Sequence, residues 1–247
     1  CMSLYNYLKK NRPDLDVRVF LEFVDKKFNI IENTDQIITT GYDGTKFDLF
    51  ISLDTASLDR LGLNLPFYEN AKRTACIDHH ASNDGYADYN YILPKASSAS
   101  EVLYDLLDED LIDKSIAEPM YMGIAHDSGV FRFQSTTPKT MRIAANMIEK
   151  GVNVNMILEE TFFRKTYNQM MVTAKIQSEA VLALDGKCIY GYCTSEMMEE
   201  YGVTTKDLDA VVASIRNVDG VEVAMFLYQL SEDSYKVSLR SKNYVDV

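Results

Sequence analysis

Two of the three histidines in this chain stand side by side in Asp78-His79-His80, directly behind the apolar run Ala75-Cys76-Ile77. Cys76-Ile77 reads as the end of a buried strand, and Asn83-Asp84-Gly85 as the turn beyond it. The triplet is therefore expected where a parallel strand leaves its sheet, the edge at which open α/β sheets bind ligands. An imidazole there can ligate a metal through one nitrogen while a carboxylate or carbonyl fixes the other. Two more acids stand at comparable exits. Phe47-Asp48-Leu49-Phe50-Ile51-Ser52-Leu53 is an apolar strand that ends in Asp54, and Gly123-Ile124-Ala125-His126 leads an apolar helical segment into Asp127. Asp54, His79 and Asp127 are thus three candidate ligands for one cation. Carboxylates mixed with imidazole suit manganese or another borderline divalent ion, and the lack of thiol pairs nearby argues against structural zinc. Taken alone, the triplet is also compatible with a hydrogen-bonded pair of strand-end histidines that does no chemistry.

The elements that must position these residues alternate. Residues 1–10 have helical periodicity, with Met2, Tyr5 and Leu8 on one face. Strands are expected over 17–21, 47–54 and 73–77, with a small apolar patch at Ile37-Ile38. Helices are expected over 98–107 and 115–125, and a third opens at Thr137-Pro138 and ends near Gly151. Strands alternating with helices imply an α/β fold, with a mostly parallel sheet covered by helices on both faces. Residues 153–184 favour helix and carry no strand signal, so they read as a connector between two domains. A smaller α/β domain follows over 185–247. In it, Asp185-Gly186 forms a hairpin turn, residues 205–216 form a helix, and 221–230 and 235–239 form an antiparallel pair. The first domain then covers 1–152, with a cleft expected between the two.

At 247 residues, 47% of them hydrophobic, the chain can bury one large core or two modest ones. No apolar run approaches the length of a membrane span. A net charge of −12 disfavours gripping a long nucleic acid through a basic surface. Short nucleotides remain compatible with it, because bound divalent cations reverse the local field. The four cysteines match neither a zinc spacing nor a disulfide framework, and Cys188 and Cys193 are expected on opposite faces of one strand. A reduced, cytoplasmic setting is expected.

The sequence resembles the DHH phosphoesterases, on its oligoribonuclease and 3′-phosphoadenosine-5′-phosphate phosphatase branch. The motifs that carry the resemblance are Leu53-Asp54-Thr55, Asp78-His79-His80, Ala96-Ser97-Ser98-Ala99-Ser100-Glu101 and His126-Asp127-Ser128-Gly129-Val130-Phe131-Arg132-Phe133. Gly220-Val221-Glu222-Val223-Ala224 and Ser238-Leu239-Arg240-Ser241 complete the set. The resemblance implies two divalent cations, manganese foremost and magnesium or cobalt as alternatives, that activate a water against phosphorus. Asp54 would bridge them, and His79 and Asp127 would hold the second. His80 would face the phosphate. Asp78 would orient a histidine or simply hold the strand end. Arg240 and Ser241, in the substrate-binding domain, would hold the substrate. His126 is expected to pack beside Asp127 rather than bind metal.

The implied substrates are short RNA oligonucleotides or a nucleoside bisphosphate, with no long duplex, no membrane and a homodimer as one possible assembly. A pyrophosphatase, a RecJ-like exonuclease and a cyclic-dinucleotide phosphodiesterase are the alternatives within the superfamily. Family members carry a His-x-x-x-Asp-x-Asp motif ahead of the helix that opens here at Cys1, and a glycine-rich segment with a histidine beyond the last residue here, Val247. Both are expected in a longer protein; without them, a catalytically silent nucleotide- or metal-binding module is the remaining reading.

Overall fold

The computed structural model describes residues 1–208, 211–245 and 247. The chain divides into two compact units, Cys1–Arg164 and Lys165–Val247. The first opens with α1 (Met2–Asn11), followed by the two-residue strands β1 (Val19–Phe20) and β2 (Ile37–Ile38), which pair in parallel. Next come β3 (Phe50–Leu53), α2 (Leu65–Glu69), β4 (Thr74–Asp78) and β5 (Tyr89–Ile92). These three strands form a parallel sheet in the order β3-β4-β5, with Leu53 opposite Ile77 and Asp78 opposite Ile92. The unit closes with α3 (Ala99–Tyr104), α4 (Lys114–Asp127), α5 (Pro138–Glu149), α6 (Val154–Leu158) and a π-helical turn over Glu159–Phe163.

Strand alternation divides the sheet's two faces between different helices. Ile51, Leu53 and Ile77 pack into a core built from Val102 and Leu103 of α3, Ile116, Met120 and Ile124 of α4, and Ile143 and Met147 of α5. On the opposite face the Phe50 ring meets Tyr68 of α2 edge-on at 5.8 Å, and Tyr68 meets Tyr86 at 5.9 Å. Ile116, Met120 and Ile124 are fully buried at helical spacing, each contributing about 1.5–3 kcal/mol.

Helix α4 carries Asp127 at its end and Pro119 in its interior. A proline there removes the N–H that would bond the carbonyl four residues earlier, which is Ser115. The buried side chain of Asn6, on α1, supplies the missing donor: its Nδ2 donates to the Ser115 carbonyl at 2.8 Å. Asn33 Nδ2 in turn donates to Asn6 Oδ1 at 3.0 Å, so the amide is used on both sides.

The second unit runs α7 (Tyr167–Glu179), β6 (Val181–Ala183), β7 (Cys188–Cys193), α8 (Ser195–Tyr201), α9 (Val211–Arg216), β8 (Val223–Ser231) and β9 (Ser234–Ser241). Its sheet order is β6-β7-β8-β9. The central pair β7–β8 is parallel and the outer pairs are antiparallel. Val172 and Ile176 of α7 and Val212 and Ile215 of α9 pack on Ile189, Ala224 and Phe226 of the sheet. The stretch 153–184, expected as a connector, does not stand apart: α6 and the π turn lie in the first unit, α7 and β6 in the second. In the β6–β7 turn, residues 184–187, the Lys187 N–H donates to the Leu184 carbonyl at 3.0 Å across Asp185 and Gly186, both at positive φ as a tight hairpin turn requires, and Leu184 is left-handed as well. Residues 209–210 of the helix expected over 205–216 lie outside the described residues. Around them stand a 3-10 turn, Thr205–Leu208, and α9. Among the described residues, no helix is long and apolar enough to cross a membrane.

Glu222, 4% exposed just before β8, clasps the segment that follows β9. Its Oε1 accepts the N–H groups of Asn243 and Tyr244, both at 2.7 Å. Burial alone would raise this carboxyl, but the N–H groups outweigh burial and hold it down at about 2. A depressed folded-state value means the contribution to stability is complete above the ordinary glutamate range and is lost as pH falls toward 2. The thermal midpoint of the parent should therefore exceed that of Glu222→Gln at pH 6, and the gap should narrow as pH is lowered from about 4.5 to about 2. A gap independent of pH would remove the charge from the explanation.

Candidate metal centre

The parallel register of β3 and β4 brings the ends of both strands to one edge. Asp54 follows Leu53 directly, and its N–H still donates to the Ile77 carbonyl at 3.1 Å. The backbone then leaves the sheet with Asp54 in the left-handed region, φ 60°. Aspartate tolerates that conformation better than most residues, at a cost that its surroundings must cover. Asp78 is the last residue of β4 and is fully buried, so His79 and His80 emerge beside Asp54.

His79 Nε2 stands 3.3 Å from Asp54 Oδ1 and 3.6 Å from Asp127 Oδ2. Its other nitrogen, Nδ1, donates to the Ala96 carbonyl at 3.3 Å, so the neutral ring keeps its lone pair on the nitrogen that faces the two acids. His80 Nδ1 donates to Asp78 Oδ1 at 2.8 Å and lies 3.9 Å from Asp54 Oδ1. Ligand atoms of Asp54, His79 and His80 all lie within 4.8 Å of one another, the geometry of a group able to hold a metal ion. Asp127 joins them through His79.

The electrostatics fit a cation. The hydrogen bond to Asp54 raises His79 to about 9 in spite of its burial, with further support from Ala96 and the charge on Asp127. Burial raises the Asp127 carboxyl to about 6, and the neighbouring charge of Asp54 adds to it. Asp78 moves the other way: hydrogen bonds from Asn83 and His80 outweigh its burial and lower it. Ion-pair partners of Asp54 and Asp127 among the described residues are histidines. A divalent ion would neutralise this crowding, and its oxygen and nitrogen donors suit manganese, magnesium or cobalt better than a thiol-seeking metal. A cavity of about 660 Å³ lies elsewhere, at the N-terminal end of α4 around Asn29, Glu32 and Lys114. That is the opposite end of the helix from Asp127, so donor chemistry and not concavity marks this site.

Behind Asp127 the chain makes an unusual turn. Gly129, Val130 and Phe131 are consecutive left-handed residues at φ 58°, 57° and 61°. Such a φ is strained for a β-branched valine. Ser128, fully buried, holds the turn: its carbonyl accepts the N–H of Arg132 and Phe133, both at 3.0 Å, and its Oγ accepts that of Phe131 at 3.0 Å. His126 faces away, as its sequence context implied. Its Nε2 donates to Thr161 Oγ1 at 2.8 Å, and its ring meets Phe28 and Phe162 edge-on.

Comparison with known proteins places this edge in a lineage. The N-terminal domain of the DHH family matches residues 1–124, just over half of the 247 residues. The chain belongs to the DHH family. It is a phosphoesterase, and the DHH family is metal-dependent. The chain is 26% identical over 226 residues to the bifunctional oligoribonuclease and PAP phosphatase NrnA of Bacillus subtilis, covering 90% of this chain and 70% of that protein. It is 31% identical over 172 residues to NrnA of Thermus thermophilus, covering 68% of this chain and 51% of the relative. In fold it is similar to an exopolyphosphatase-related protein from Bacteroides fragilis, with a TM-score of 0.87 at 20% identity, over 98% of this chain and 74% of that one.

Of the residues singled out in the DHH chain, the structure brings Asp54, His79, His80, Asp78 and Asp127 to one edge. Arg240 and Ser241 lie on β9 of the second unit. Arg240 is exposed, and Arg216 Nη1 donates to the Ser241 carbonyl at 3.0 Å. Sequence reasoning missed the Ala96 carbonyl behind His79 and the amide of Asn83 behind Asp78. A backbone acceptor leaves no residue-type signal, and Asn83 reads simply as part of a turn.

Gly129→Ala should cost about 1–2 kcal/mol through its left-handed φ alone. The new Cβ would also meet the Phe133 ring at 2.5 Å, so the ring must swing aside. Urea denaturation in chelator measures the sum of the two effects. An unchanged midpoint would mean that the turn relaxes without strain.

Proposed function

We propose that this DHH phosphoesterase hydrolyses short oligoribonucleotides, adenosine 3′,5′-bisphosphate, or both, using two divalent cations, with manganese the first choice. The observation that carries the reading is the approach of Asp54 Oδ1 and Asp127 Oδ2 to Nε2 of His79, the ring nitrogen that Ala96 does not engage. The named activities of the NrnA relatives supply the substrate class. The four cysteines are unpaired, which agrees with a cytoplasmic setting.

Asp54, His79 and Asp127 would hold metal. When bound, the ions lower the pKa of a water and stabilise charge that develops on the phosphoryl oxygens. The protein's own part is orientation. The Ala96 carbonyl fixes the tautomer of His79. Asp78, buried and ionised, holds His80 as the Nδ1–H tautomer, so that Nε2 is presented to a phosphoryl oxygen or a leaving group. Arg240 and Ser241 are proposed to bind the substrate's phosphate. The guanidinium of Arg240 meets no carboxylate among the described residues, and Nη1 merely donates to the Leu239 carbonyl at 2.8 Å. It is therefore available for a two-pronged contact with phosphate.

Steady-state hydrolysis of a ribodinucleotide and of adenosine 3′,5′-bisphosphate with added manganese tests the reading. His79→Ala should abolish turnover through loss of metal, and chelation should do the same to the parent. A charge-assisted contact contributes about 1.5–3 kcal/mol, so Arg240→Ala should lower kcat/KM about ten- to a hundred-fold, mainly through KM. Full activity in chelator, with metal removal verified, would overturn the mechanism. Unchanged kcat/KM in Arg240→Ala would move the substrate away from β9. Faster hydrolysis of pyrophosphate or of a cyclic dinucleotide would reassign the substrate.

A further inference from the structure

Asn83 sits five residues beyond Asp78 and is buried, with 9% of its surface exposed. As a turn residue it needs one bond, and it has it: Oδ1 accepts the Gly85 N–H at 2.9 Å. That bond also fixes which end of the amide is nitrogen. The two protons on Nδ2 are surplus to the turn, and two oxygens beside the metal centre accept them, with Cys76 Sγ a third, weaker acceptor at 3.4 Å. One goes to Asp78 Oδ2 at 2.7 Å, the oxygen that His80 does not use. The other goes to the Thr55 carbonyl at 3.1 Å, immediately after Asp54. Tyr86 reinforces the second contact, since its hydroxyl proton is shared between Ser52 Oγ at 2.8 Å and the same Thr55 carbonyl at 3.1 Å.

We infer that Asn83 is a positioning residue that sets the Asp54 carboxylate and the His80 ring jointly, through one side-chain amide. The inference rests on the metal-dependent reading above. Asp54 occupies a left-handed conformation, which persists only where neighbouring groups hold it. The carbonyl that must be held is the one that leaves residue 55, and Asn83 grips it from across the turn. The same amide holds Asp78 in place, and through it the tautomer of His80. A single substitution at 83 should therefore disturb two groups that follow different strands and have different roles.

Three variants separate this from a merely structural role. Asn83→Asp is isosteric and loses both N–H donors. Asn83→Leu loses all polarity at similar volume. Tyr86→Phe keeps the ring against Tyr68 and loses only the shared proton. Calorimetric titration with manganese should show binding weakened about ten-fold or more in both Asn83 variants, the range found when a partner behind a metal ligand is removed. Tyr86→Phe should lose about three-fold, the scale of one shared neutral hydrogen bond. Asn83→Asp is the sharpest arm. An added carboxylate beside a cation site tightens binding by charge alone, so weaker binding there reads the lost donor. Nitrogen NMR of the imidazoles, recorded without metal, should show His80 as one Nδ1–H tautomer in the parent and as a mixture in Asn83→Leu. Thermal midpoints in chelator identify any variant that has lost its fold, and Tyr86→Phe then carries the comparison. A parent that binds manganese alongside variants with the same affinity and the same His80 spectrum overturns the inference alone. A parent that takes up no manganese overturns the metal reading and this inference with it.

Discussion

Everything at the candidate metal centre depends on one alignment, the parallel pairing that sets Leu53 opposite Ile77. Because side chains alternate along a strand, a slip of one residue would send Asp54 or Asp78 to the wrong face. In the observed register both strands end together, and the chain releases an aspartate from one and a pair of histidines from the other. Acids and imidazoles gathered this way perturb one another: the bond to Asp54 pushes His79 up to about 9, and burial, with the charge of Asp54 adding to it, pushes Asp127 to about 6. The sheet supplies the rigidity that makes such crowding tolerable, and helices on both of its faces keep the register from shifting.

Much of this was legible in the sequence, for a physical reason. Buried parallel strands read as short apolar runs, and an acid at the end of such a run stands out. That is how Asp54 and Asp78 were placed, and the apolar stripe of α4 placed Asp127. Thr137 with Pro138 announced α5, and the structure adds a full capping box through Thr140. Strand β5 escaped because Tyr89, Asn90 and Tyr91 are exposed, so no hydrophobic alternation marks it. Helix α8 escaped because it buries none of its residues; only its Thr194 cap and the left-handed Gly202 delimit it. The expected strand over 17–21 shrank to two residues, since propensity alone does not supply a long pairing partner.

The finer parts of the site were illegible for a different reason: they are made of backbone. Ala96 contributes a carbonyl, Thr55 another, and the turn after Asp127 is organised by the carbonyl of Ser128. None of these leaves a mark in residue type. The buried Glu101 of α3 is structural: its Oε2 accepts from Ser97 Oγ and Thr140 Oγ1, both at 2.7 Å, and ties the start of α3 to α5. In the second unit, Glu222 plays a comparable part for the segment after β9.

The proline within α4 carries a consequence for how the protein folds. A helix that lacks one internal bond is not self-sufficient, and the carbonyl it leaves bare is satisfied by a residue 109 positions away in sequence. Closing a loop of that length costs conformational entropy before any contact compensates it. Completion of α4 is therefore tied to the docking of α1, and the two should gain protection from solvent exchange together. The aspartate at the far end of α4 thus reaches its final place only when the first and middle parts of the chain have met, which makes this corner of the site a product of cooperative assembly rather than of local structure.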